Sequence, residues 1–145
     1  MDEARAGRAM SDDIEIRVLR QRTLGSAAFL RGLPGGARSL YIHTPFCAHK
    51  CHYCDFYSIV DQHDRQDAFA QRLIRELAAL APLAGALETV FVGGGTPTLL
   101  RADLWSGLLA ALGERFDLSR LREFTVEANP ESLTAEMAEV LAGGG

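Results

Sequence analysis

From residue 39 onward the apolar and polar positions fall into short, regular blocks. Residues 40–43 alternate, which places Leu40 and Ile42 on one face of a strand and Tyr41 and His43 on the other. Phe69, Leu73, Leu77 and Leu80 then recur at helical spacing among Arg72, Arg75 and Glu76, and Pro82 and Gly85 end that helix. Residues 87–92 are apolar and rich in β-branched types, the pattern of a buried second strand. Leu104, Leu108 and Leu112 mark a second amphipathic helix stopped near Gly113, and residues 124–127 form a third strand closed by the turn Ala128-Asn129-Pro130. Thr134 suits the N-cap of a third helix that turns Met137, Val140 and Leu141 inward.

The order is therefore βαβαβα, an α/β chain with a parallel sheet. In such sheets ligands sit beyond the carboxyl ends of the strands. Three unusual features fall on that rim: a cysteine-rich loop after strand one, the triplet Gly93, Gly94 and Gly95 after strand two, and Glu127 at the end of strand three.

All three cysteines of the chain lie in the loop, as Cys47, Cys51 and Cys54 with C-x3-C-x2-C spacing. So short a segment can turn three thiolates toward one centre. A cubane iron–sulfur cluster held by three cysteines keeps one iron open for another ligand. The alternative is a Cys3His zinc site, for which His43, His49 and His52 are near enough in sequence; no second ligand pair of the usual zinc kind exists. Phe46, Tyr53, Phe56 and Tyr57 flank the cysteines, either as a ring that keeps water from a redox centre or as plain core. The glycine triplet lets the backbone take φ > 0 and approach a ligand, yet matches neither G-x-G-x-x-G nor the P-loop. Glu127 shares the polar face of its strand with Thr125; it is either an acceptor for ribose hydroxyls or a solvated strand-end carboxylate.

Composition narrows the classes. At 145 residues, with 48% hydrophobic and 23% charged positions, the chain suits one soluble domain. A net charge of −4, with Lys50 the only lysine, argues against a nucleic-acid surface. No apolar run approaches about 18 residues and no secretory leader is evident, so the expectation is a cytoplasmic protein. An odd number of tightly packed cysteines makes a poor disulfide framework. Residues 1–37 mix five acids with six arginines and close on Gly32, Pro34, Gly35 and Gly36, which reads as a mobile extension and linker ahead of a core domain at 38–145. Five acids also argue against an organelle transit peptide. Ile14, Ile16, Val18 and Leu19 fit either a short strand or a helical turn.

The combination of C-x3-C-x2-C with Tyr53 before the last cysteine, Gly-Gly-Gly-Thr-Pro at 93–97 and Glu-Ala-Asn-Pro at 127–130 resembles the radical S-adenosylmethionine proteins. More narrowly, Tyr-Ile-His-Thr-Pro-Phe-Cys at 41–47 and Val-Glu-Ala-Asn-Pro-Glu-Ser at 126–132 are similar to the oxygen-independent coproporphyrinogen III oxidase group. The resemblance covers residues 38–145. It implies a (βα)6 partial barrel of the TIM-like kind, of which about three βα units are present here. It further implies a [4Fe-4S] cluster on Cys47, Cys51 and Cys54, with S-adenosylmethionine on the open iron. Tyr41, Tyr53, Gly94, Gly95, Thr96 and Glu127 would line that cofactor, Glu127 at its ribose. The implied chemistry is one-electron cleavage of the sulfonium to methionine and a 5'-deoxyadenosyl radical.

Oxidases of the group carry a further cysteine two positions after the third, where this chain has Phe56. In this respect the chain resembles the HemW-type branch of haem chaperones, which implies haem or porphyrin, an electron donor protein and a haem acceptor protein as partners, with any membrane contact only through the acceptor. Oxidative decarboxylation of coproporphyrinogen is the alternative. Because the family's haem- and substrate-binding parts lie beyond the matched region, the expectation for residues 1–145 alone is poor stability and half a cofactor pocket.

Overall fold

A computed structural model describes residues 32–60 and 65–144. The chain forms β1 (Ala37–Thr44), β2 (Phe46–Cys47), β3 (Ile59–Val60), α1 (Gln66–Leu80), β4 (Ala84–Gly94), α2 (Ala102–Arg115), β5 (Glu123–Val126) and α3 (Ala135–Gly143). Short 3₁₀ turns at Ala81–Leu83 and Pro97–Leu99 join α1 to β4 and β4 to α2. All six elements expected from the hydrophobic pattern are present. The expected strand or turn around Ile14, Ile16, Val18 and Leu19 lies outside the described residues, as does most of the 1–37 extension.

The main sheet has the order β1-β4-β5 and both pairings are parallel. Its register brings His43 beside Gly93, Thr44 beside Gly94, and Val92 beside Val126. Strand alternation then divides the sheet into two unlike faces. Ile42, Val90 and Val92 are buried, with Leu40, Phe124 and Val126 packed against them. Leu77 of α1, Trp105, Leu108 and Leu112 of α2 and Met137 of α3 complete that core. The opposite face carries Tyr41, His43, Phe91 and Thr125, none of them buried.

Two differences from the sequence pattern have local causes. Inside the cysteine loop, Phe46 and Cys47 pair in parallel with Ile59 and Val60, a two-stranded ladder too short for any periodicity to reveal. At the other junction, Pro82 sits in the first turn of the 3₁₀ segment, where its missing N–H costs nothing, so β4 starts directly afterwards at Ala84. The third helix, α3, begins as expected: the Thr134 side chain accepts a hydrogen bond from the Met137 N–H at 3.1 Å.

Candidate functional site

The carboxyl ends of β1, β4 and β5 meet along one rim and are tied there by backbone hydrogen bonds. Gly95 N–H donates to Thr44 O at 2.7 Å and Thr96 N–H to Phe46 O at 2.6 Å, while Glu127 N–H donates to Val92 O at 2.9 Å. These bonds set the glycine segment against the start of the cysteine loop on one side and against Glu127 on the other.

Each approach leaves no room for a side chain. Gly94 has φ of 111°, and a Cβ there would enter the His43 ring. At Gly95 a Cβ would lie 2.5 Å from Phe46 O and 3.0 Å from Cys47 Sγ. Only Gly94 of the triplet has positive φ; the closeness at Gly95 is to this chain's own backbone and thiol. The triplet is thus tightly fitted into the rim.

Glu127 bends back over the end of β4, where its Oε2 accepts from Gly94 N–H at 3.2 Å. A carboxylate has acceptor capacity for several donors, so this bond leaves the group able to accept from a ligand as well. Its charge also reaches Tyr41, whose phenol is pushed above its ordinary value first by partial burial and then by Glu127. Between the strand ends lies a cleft of about 460 Å³, with Gly95, Thr96 and Pro97 on one wall and Glu127, Ala128 and Asn129 on the other. That volume is within the usual range for small-molecule sites.

His43 links this rim to the cysteine loop. Its Nε2 lies 2.8 Å from Tyr57 O and its Nδ1 lies 3.1 Å from the Tyr41 hydroxyl. A carbonyl only accepts, so Nε2 carries the proton and Nδ1 accepts from Tyr41. His43 thus holds the returning arm of the loop through Nε2, while Nδ1 is engaged by Tyr41 of its own strand. Lys50 braces the same arm, its Nζ donating to Phe56 O at 2.9 Å and to Ser58 Oγ at 3.1 Å. Neither role was visible in the sequence, where the partners stand fourteen and six or eight positions away.

The three cysteines are partly buried and in no disulfide. Cys54 N–H donates to Cys51 O at 3.2 Å, closing a turn around Tyr53. The Tyr53 phenol is raised above its ordinary value by a hydrogen bond to Cys51, then by charge on Cys51, by slight desolvation and by charge on Cys54. Among the described residues, no three Cys, His, Asp or Glu side chains gather closely enough to hold a single metal ion. The loop follows its own turn and the Lys50 and His43 braces. Donor chemistry still fits a cluster, because a cubane spreads its cysteines over separate irons instead of gathering them on one ion.

The expected aromatic ring around the cysteines is corrected. Phe46 is fully buried and packs edge-on against Phe69, with ring centroids 5.1 Å apart. Tyr53, Phe56 and Tyr57 are 78%, 65% and 74% exposed, so they keep no water from the loop in this structure. Phe46 alone had a strand partner and an apolar layer to enter.

Residues 41–145 match the family profile described as the radical SAM superfamily. This chain belongs to the radical SAM superfamily. Membership implies S-adenosylmethionine and a [4Fe-4S] cluster, and the α/β architecture is part of that fold, not closed into a barrel. Among similar proteins, a "Heme chaperone HemW" of Lactococcus lactis is 44% identical over 72% of this chain and 27% of its own length. Its Bacillus subtilis counterpart is 40% identical over 74% of this chain and 29% of its own. An "Oxygen-independent coproporphyrinogen III oxidase" of Bradyrhizobium diazoefficiens is 38% identical over 79% and 27%. The solved structure of Escherichia coli coproporphyrinogen III oxidase (HemN), described as a radical SAM enzyme, superposes with a TM-score of 0.74 at 28% identity, covering 84% of this chain and 29% of that one. The chain thus spans less than a third of the length of these relatives. No helix among the described residues is long and apolar enough to cross a membrane.

Proposed function

We propose that residues 38–145 are the cofactor-binding core of a cytoplasmic haem chaperone that passes haem to an acceptor protein. Cys47, Cys51 and Cys54 hold the [4Fe-4S] cluster. Tyr41, Tyr53, Gly94, Gly95, Thr96 and Glu127 contact S-adenosylmethionine, Glu127 through the ribose hydroxyls. Bound there, the two cofactors supply one-electron chemistry. The chain's own part is to bring the backbone of Gly94 and Gly95 close to the cofactor, to place an acceptor carboxylate opposite them, and to fix the loop through His43 and Lys50.

One observation carries the chaperone reading over the oxidase reading: Phe56 stands, exposed, where the oxidases of the group have a further cysteine. The matches to HemW proteins at 40% and 44% identity support it. Oxidase activity is the second reading, favoured by the likeness to the HemN structure. Full-length protein reconstituted without oxygen is to be titrated with haem and, separately, assayed with coproporphyrinogen. Haem binding and transfer to an apo-acceptor without decarboxylation is expected; decarboxylated product without haem binding reverses the order.

A further inference from the structure

We propose that Thr98 and Ser132 form a positioning strut that sets the width of the rim cleft and thereby its affinity for S-adenosylmethionine. Neither residue is among those assigned above to touch the cofactor. The strut matters to function only if the cleft takes that cofactor, as proposed above.

Both walls of the cleft are loops: one leaves β4 through Gly95, Thr96 and Pro97, the other leaves β5 through Glu127, Ala128 and Asn129. Loops of this kind hold a spacing only where something ties them. Two hydrogen bonds to Thr98 do so, and a third within the segment after β5 closes them into a ring. Asn129 N–H donates to Thr98 Oγ1 at 3.2 Å, Thr98 Oγ1 and Ser132 Oγ lie 2.6 Å apart, and Ser132 Oγ donates to Asn129 O at 3.2 Å. The directions are fixed by counting protons. Ser132 spends its only hydroxyl proton on the Asn129 carbonyl, so Thr98 donates to Ser132 and accepts from Asn129. The result is a closed ring in which both hydroxyls donate and accept once.

Thr98 is buried, with 3% of its surface exposed, and lies in the 3₁₀ turn Pro97–Leu99. That turn is fixed from behind by Trp105, whose indole N–H donates to Pro97 O at 3.0 Å in the core. The ring therefore transmits the position of α2 and the core to Asn129, two residues beyond Glu127. Without it, the bond from Gly94 N–H to Glu127 Oε2 is what remains of the side-chain ties between the two strand ends among the described residues, and Glu127 is then asked both to hold the wall and to bind the ligand. Two duties on one carboxylate compete; the ring relieves Glu127 of the first.

The test uses the full-length chain, reconstituted without oxygen, with S-adenosylmethionine binding followed by equilibrium dialysis. Thr98→Val keeps the shape and removes the hydroxyl; Thr98→Ser keeps the hydroxyl. The expected result for Thr98→Val is about tenfold weaker binding at the parent's iron and sulfide content, with Thr98→Ser restoring affinity to within about twofold. A purely structural role would lower the number of sites titrated and leave the affinity of the remaining sites alone. Parent-like affinity in Thr98→Val overturns the strut. Should Thr98→Val not fold, Ser132→Ala opens the same ring from its less buried side, and unchanged affinity there overturns it equally. A parent protein with a full cluster that binds no S-adenosylmethionine overturns the reading of the cleft itself.

Discussion

Gln66 offers the sharpest stability test, because a polar side chain with 1% of its surface exposed must answer for both ends of its amide. At the start of α1, its Nε2 donates to Leu99 O at 2.9 Å and its Oε1 accepts from Arg101 N–H at 3.0 Å. It thus ties the cysteine side of the fold to the chain that leaves the glycine segment. Gln66→Met keeps the length and flexibility of the side chain and removes both polar partners. Each backbone group left without its bond costs about 1–1.5 kcal/mol, toward the low end because both are only partly buried. The thioether and methyl regain about 1 kcal/mol through apolar burial, leaving a net loss of about 1–2 kcal/mol. That is a sizeable share of a stability of about 5–15 kcal/mol. Urea unfolding of the full-length chain followed by circular dichroism measures it. Gln66→Glu separates hydrogen bonding from packing. Its carboxylate still accepts from Arg101 N–H but faces Leu99 O with another oxygen, so its folded pKa rises above the unfolded value. The folded state then binds more protons, and the variant's stability falls as pH rises through that folded pKa. A Gln66→Met protein as stable as its parent, with Gln66→Glu showing no such slope, refutes the reasoning.

Other consequences follow from the same geometry. Gly94→Ala puts a methyl group into the His43 ring at φ of 111°, and a loss of about 1–3 kcal/mol by thermal or urea unfolding is expected. Lys50→Met removes the brace to Phe56 O and Ser58 Oγ, so iron and sulfide per chain after reconstitution are expected to fall while far-UV circular dichroism stays unchanged. The exposed carboxyls of Asp67 and Asp103 are held below their ordinary value of 3.8 by hydrogen bonds from Arg101. Depressed folded pKa values give a contribution that is complete above the unfolded value and fades as pH falls through the folded ones. Arg101→Gln is expected to flatten that part of the stability profile below about pH 4, which an acid titration at low salt detects.

Periodicity revealed the elements that fill the core, because burial is what hydrophobic periodicity records. Leu77, Trp105, Leu108, Leu112 and Met137 all face the layer between sheet and helices. It did not reveal the rim's bracing. His43 to Tyr57, Gln66 to Leu99 and Thr98 to Ser132 join residues 14, 33 and 34 apart, through isolated polar side chains with no repeat to advertise them. The rim candidates themselves were legible for another reason. Cys47, Gly94 and Glu127 each stand at or just past the end of a strand, and parallel strands deliver their ends to the same side, so three separate oddities became neighbours once the strand order was known. The aromatics misled because residue type alone does not say which side of a loop faces water. Phe46, one step into β2, is buried, whereas Phe56 and Tyr57, beyond the Cys51 turn, are exposed.

The choice between cluster and zinc turns on the same distinction between neighbours in sequence and partners in space. A Cys3His zinc site needs a fourth ligand whose imidazole presents an unprotonated nitrogen to the metal while the other is fixed. In His43 the unprotonated nitrogen, Nδ1, already accepts from the Tyr41 hydroxyl, while Nε2 donates to Tyr57 O. His49 and His52 are exposed, and His52 turns its ring edge-on to Tyr53 at a centroid distance of 5.3 Å. Ligation through Nδ1 would displace the Tyr41 hydroxyl, and ligation through Nε2 would break the bond to Tyr57 O that holds the returning arm of the loop. A cubane would ask nothing of the histidines and would take the three sulfurs on three irons, leaving the His43 brace intact. Iron and sulfide analysis of His43→Gln protein therefore bears on both models: reduced cluster yield through a loosened loop is expected here, whereas a zinc site that used His43 would instead lose a ligand and with it stoichiometric zinc.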